Sequence, residues 1–135
     1  LFQSTTLYCG IPRLALLFVM KHLSSKTIQK LAIPYWILCF VLTHLPPSNA
    51  LPEAAGLDKV FHFSGYSLLG FLLFSRLRLK TLPVLFIYSL VDEFTQPYFG
   101  RDFEWWDLLA DNLGGCLGIS LGWWLLTQKK IFPDE

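Results

Sequence analysis

The residues able to do chemistry gather in two stretches, "DKVFHFSGY" (Asp58–Tyr66) and "DEFTQPYFGRDFEWWDLLADNLGG" (Asp92–Gly115). Asp58 and His62 stand four apart, so on a helix they share one face, and Tyr66 continues it. Asp92 and Gln96 stand four apart as well, with Glu93 beside Asp92 and three before Gln96. Asp107 and Asp111 repeat the spacing. An imidazole among carboxylates can run acid–base chemistry, with Glu93 or His62 as the general base. The set Asp58, His62, Asp92, Glu93, Asp107 and Asp111 also offers oxygen and nitrogen ligands to a divalent cation as cofactor. No compact zinc motif such as HExxH accompanies them, and carboxylates alone are an unspecific metal signal, so no metal site is assigned. With Lys59 and Arg101 added, the same groups suit a binding pocket for a cationic, zwitterionic or hydroxyl-rich ligand. The plainest alternative is one satisfied interhelical network with Asp58, Asp107 and Arg101 as its core members.

Four apolar runs must position these residues, near Ile28–Leu45, Asp58–Leu77, Leu79–Tyr98 and Trp106–Gln128. Each approaches the ~20 residues that a bilayer-spanning helix needs. The composition agrees: of 135 residues, 53% are hydrophobic and only 16% charged, against about 25% charged in a soluble domain. The fold expected is therefore all-α, an integral membrane bundle of four transmembrane helices. The second and third runs are marginal in length, which keeps a soluble helical core as the competitor. Pro34 is expected in the first turns of its helix, where a missing amide donor is cheap. Pro46 and Pro47 should stop that helix.

Charge sorting favours the membrane. Lys21, Lys26, Lys30, Arg76, Arg78, Lys80, Lys129 and Lys130 fall on one side of a four-span topology, and Lys59 and Arg101 on the other. By the positive-inside rule both termini are cytoplasmic in a multi-pass cell-membrane protein, and the loops Pro46–Leu57 and Phe99–Trp105 face outward. Most acids, Glu53, Asp58, Asp92, Glu93, Asp102, Glu104, Asp107 and Asp111, lie toward the outer side. Three helices thus bring polar stripes to one depth, and Arg101 can reach in from the loop above. Gly114, Gly118 and Gly122 recur every four residues and form a small-residue face for close helix approach, within the monomer or between subunits. Trp105, Trp106, Trp123 and Trp124 bracket the last helix as interfacial anchors.

Residues 1–27 read as an extension plus a basic segment, 28–128 as the membrane domain and 129–135 as a cytoplasmic tail. The chain starts at Leu1 and its one methionine is Met20, so residues 1–19 are expected to lie upstream of the true start or to pack poorly. His22 belongs to the basic segment; His44, near the outer end of the first helix, could join the cluster, but nothing in its spacing supports that. Cys9, Cys39 and Cys116 show neither a disulfide frame nor a metal motif. The basic residues never form a dense patch with exposed aromatics, which excludes nucleic acid as a partner.

The two stretches, in this order, resemble the VanZ-like family, whose pattern is D-K-x-x-H-F-x-x-Y, D-E-x-x-Q, an outer-loop G-R and D-x-x-x-D/N followed by glycines. The matching positions are Asp58, Lys59, His62, Phe63, Tyr66, Asp92, Glu93, Gln96, Gly100, Arg101, Asp107, Asp111 and Gly114. Asn112 follows Asp111, and the pattern leaves open which of the two faces the cluster. The resemblance implies a small membrane protein related to low-level resistance to teicoplanin, a lipoglycopeptide antibiotic acting on the cell envelope. The expected partners are the lipid bilayer and a cell-wall lipid precursor or the lipoglycopeptide. The function expected is binding or protection of an envelope component through an outward-facing acidic/His cluster. The alternative is a metal-assisted membrane enzyme acting on a lipid-linked envelope substrate. Some relatives carry a phosphotransbutyrylase label, which does not transfer, because the chain has no glycine-rich phosphate loop.

Overall fold

The computed structural model describes residues 25–45 and 56–131, all of them in helices and short connections. Four helices follow in order: α1 (Ser25–Thr43), α2 (Leu57–Leu77), α3 (Thr81–Thr95) and α4 (Trp105–Ile131), with 3₁₀ turns at Arg78–Lys80 and Gln96–Phe99. The basic segment before residue 25, with Met20, Lys21 and His22, lies outside the described residues. So do Cys9, Pro46, Pro47, Glu53 and residues 132–135; nothing is described of the Lys129 and Lys130 side chains.

The expected helices are present, with two differences. The third is shorter than its apolar run because 3₁₀ turns take both ends. Pro34 sits in the interior of α1, which begins earlier than its apolar run. There it removes the donor that the Lys30 carbonyl would meet in a regular helix.

Direction follows from pairing. Near the start of α1, Gln29 Nε2 donates to the Ser75 carbonyl near the end of α2, at 3.3 Å. At the other pole, His44 after α1 meets Thr95 at the end of α3, Nε2 to Oγ1 2.8 Å. Helices α1 and α3 therefore run one way, and α2 and α4 the other.

The α2–α4 pair forms the backbone of the bundle, and glycine makes it possible. A Cβ added at Gly114 would collide with the Phe63 carbonyl, and one at Gly118 with the Ser67 carbonyl. A Cβ at Gly122 would stand 2.6 Å from Phe74 Cδ1, and one at Gly70 would stand 2.7 Å from the Gly115 oxygen. The small-residue face of α4 is thus consumed inside the chain, against α2. Below it the apolar core gathers Tyr66, Leu69, Leu73, Phe74, Leu85 and Ile119.

Two backbone turns aim the connections. Arg78 ends α2 at φ 56°, with its amide donating to the Phe74 carbonyl. Gly100 takes φ 79°, a left-handed conformation natural to glycine. It closes the turn Gln96–Phe99 and delivers Arg101 to the start of α2.

The outside of the bundle is apolar: Ile37 is 61% exposed, Phe61 67% and Ile87 61%. Trp105 and Trp106 at one end of α4, and Trp123 and Trp124 near the other, are exposed too. About 27 Å of helix separates the two tryptophan pairs at 1.5 Å per residue. Among the described residues, no helix is long and apolar enough to cross a membrane. α3 has only 15 residues, and α2 and α4 carry Asp58, Lys59, Arg76, Asp107 and Asp111 within their length. Among the described residues the all-helical expectation holds.

Candidate functional site

The bundle turns its polar side chains inward at one pole. Asp92, Glu93, Gln96 and Asp111 are 0% exposed, and His62, Asp107, Tyr66 and His44 are buried. Helical spacing explains how each arrives. His62 is in the second turn of α2, Glu93 in the last turn of α3 and Asp111 in the second turn of α4, so parallel and antiparallel neighbours bring them to one level.

The inner group is built on His62. Its Nδ1 donates to Asp111 Oδ1 at 2.9 Å and lies 3.8 Å from Glu93 Oε1. Glu93 is held from two sides: Gln96 Nε2 donates to Oε1 at 3.0 Å, and the Glu104 amide donates to Oε2 at 3.2 Å. Two buried acceptors here have no partner, Gln96 Oε1 and Asp111 Oδ2. Asp111, not Asn112, faces the cluster. Asn112 turns to α3, donating to Ser89 Oγ at 3.0 Å and to the Leu108 carbonyl at 2.7 Å.

Asp92 belongs to a second group. Thr43 Oγ1 donates to its Oδ1 at 2.9 Å and the Tyr66 hydroxyl to its Oδ2 at 3.2 Å. His44 Nδ1 lies 3.6 Å from Oδ1 and donates to the Phe40 carbonyl at 2.8 Å. Thr43 is the member that the sequence did not single out, and His44 was an option that its spacing did not support. Their signal was slight, a Thr-His pair at the end of an apolar run.

The rim holds the cations. Arg101 does not reach in from above; its Nη2 grips Asp58 at 3.0 and 2.8 Å from the two carboxylate oxygens. Lys59 Nζ meets Asp107 Oδ1 at 3.0 Å and also Glu104. His62 Nε2 faces Asp107 Oδ2 at 4.0 Å. Asp58 and Asp107, which converge with His62, are each held by a different cation, Asp58 by Arg101 and Asp107 by Lys59. Since the Asp58 carboxyl is 42% exposed, its pair is of the kind worth no more than ~1 kcal/mol. Arg101→Ala is expected to lower unfolding stability by about that much or less, read from thermal melts of the purified protein.

An α-helical bundle with ionisable groups inside and large apolar side chains outside defines the class: a small helical protein built around a buried acidic/histidine centre. The chain belongs to the VanZ/LLP1 family, whose sequence model matches residues 10–126. No curated protein and no solved structure matches it.

Proposed function

We propose that this chain is a four-span membrane protein whose buried polar pole faces outward and binds the head group of a cell-envelope component. The observation that carries this reading is the inversion of burial: carboxylates at 0% exposure lie inside an outer shell of exposed Ile, Leu, Phe and Val. In water such a shell would drive aggregation; in a bilayer it meets its natural solvent. Ionisable groups in such a setting face the bundle interior and mark sites of function. At the acidic pole, His62, Asp92, Glu93, Gln96, Asp107 and Asp111 are buried among one another rather than turned to lipid. The spacing of the tryptophan pairs also matches a hydrocarbon layer ~30 Å thick. With the basic ends of the helices cytoplasmic, the termini are inside and the cluster lies under the outer interface.

A shallow apolar groove between α2 and α4, lined by Val60, Phe63, Trp106, Leu109 and Leu113 with Lys59 at its edge, suits an acyl chain beside that head group. A cell-wall lipid precursor or a lipoglycopeptide such as teicoplanin combines both parts. The test is teicoplanin susceptibility of a sensitive host expressing the wild type or Glu93→Gln, with protein abundance measured in the same membranes. Protection by the wild type that disappears in an equally abundant Glu93→Gln protein is the expected result. Protection that survives the substitution, or a wild type giving none, overturns the reading.

One observation favours a second reading, a metal-assisted membrane enzyme acting on a lipid-linked envelope substrate. His62, Glu93 and Asp111, all buried, each offer a ligand atom within 4.8 Å of the others.

A further inference from the structure

We propose that His62, Glu93 and Asp111 form a binding site for one divalent first-row transition-metal ion, of the Mn²⁺ or Zn²⁺ type. This rests on the second reading above and gives it a ligand set.

Geometry comes first. Ligand atoms around a tetrahedral ion bound at about 2.1 Å lie about 3.4 Å apart. His62 Nδ1 stands 2.9 Å from Asp111 Oδ1 and 3.8 Å from Glu93 Oε1, distances that bracket that separation. A metal would take the place of the proton that His62 now shares with Asp111.

The second observation is independent of the acids. Gln96 is fully buried, and its amide is anchored on Glu93 through Nε2, yet Oε1 has no partner. Turning the amide over would set oxygen against oxygen at Glu93, so the orphan acceptor stays beside the cluster. With Asp111 Oδ2, also unpartnered, two buried acceptors there await a cation or a donor. Such atoms are costly to bury unless something meets them.

Charge selects this triad over its neighbour. Asp58, His62 and Asp107 also converge, but Arg101 and Lys59 already neutralise those two carboxylates. No lysine or arginine is paired with Glu93 or Asp111 among the described residues. A neutral imidazole, two carboxylates and a dication sum to zero, which is the cheapest state for a buried site. The imidazole nitrogen favours a transition ion over Mg²⁺ or Ca²⁺, and three protein ligands leave a position open, as in catalytic centres.

The test uses the full chain in detergent, stripped with chelator and titrated with Mn²⁺ or Zn²⁺ alone. One ion per chain is expected, and pulsed EPR of the Mn²⁺ form should show coupling to one imidazole nitrogen. Glu93→Gln and Asp111→Asn should each weaken binding at least ~100-fold, whereas Asp58→Asn should retain it. The wild-type spectrum stands even where a variant folds poorly. A wild type that takes up no ion, a Mn²⁺ form without nitrogen coupling, or binding lost in Asp58→Asn but kept in Asp111→Asn overturns the site. Retention of envelope lipid by the stripped protein is measured alongside. Lipid retained without metal uptake overturns the metal centre and leaves the head-group reading standing; metal uptake without lipid supports the centre and removes the head-group reading.

Discussion

Gly118→Ala should be among the most damaging single substitutions in this chain, costing about 3 kcal/mol, the upper part of the range for overpacked contacts. The added methyl would fall on the Ser67 carbonyl and 2.7 Å from the Phe71 amide nitrogen. Both obstacles are backbone, so no rotamer change relieves them; α2 and α4 must separate. Separation carries a second cost, because the same interface sets His62 against Asp111. The expected result is a large fall in the melting temperature of the detergent-purified protein, and with it loss of whatever ligand the inner group holds. Gly65→Ala is the internal control. Nothing stands within 4 Å of a Cβ there, and alanine is favoured over glycine in a helix by up to ~1 kcal/mol. That substitution should raise the melting temperature. A Gly118→Ala protein as stable as the wild type would mean that the close α2–α4 packing is wrong.

These glycines also show what was legible in the sequence. Their four-residue spacing announced a close helix contact, but only the fold says with which helix. The four helices were legible because long apolar runs bounded by prolines, charges and glycines leave few alternatives. The polar residues were legible as a group but not as two groups. Asp92 and Glu93 are neighbours in sequence, and adjacent helical positions point about 100° apart. Asp92 therefore turns to Thr43 and Tyr66, while Glu93 turns to His62 and the start of α4. Spacing within one helix cannot reveal that division, because it depends on which neighbours flank α3. The same limit hid His44, whose partners Thr95 and Asp92 come from a helix far along the chain. Arg101 was read as able to reach in from its loop; it is held instead by Asp58, in the first turn of α2.

Asp92→Ala is expected to cost about 3 kcal/mol, and the reason lies in what it leaves behind. Thr43 loses little, since its hydroxyl can turn to the Cys39 or Phe40 carbonyl, each at 3.1 Å. Tyr66 is different. Its ring is 1% exposed, and Asp92 Oδ2 is the acceptor for its hydroxyl. Removing the carboxylate strands a buried donor, opens a void and exposes His44 to a changed neighbour; stranding and void each cost on the order of 1–3 kcal/mol. Asp92→Asn keeps an acceptor oxygen and should cost clearly less. Tyr66→Phe alone leaves the carboxylate short of a donor and should destabilise too. Together with Asp92→Leu it replaces both partners by apolar groups, so the pair should cost less than the two single effects added. A cycle of thermal melts on the two single variants and the double measures the coupling. Under the membrane reading it should be about 1–2 kcal/mol, near the upper end for hydrogen bonds between bilayer helices. Additive effects would mean that Tyr66 and Asp92 do not depend on each other, and that the second polar group is an accident of packing rather than a bonded unit.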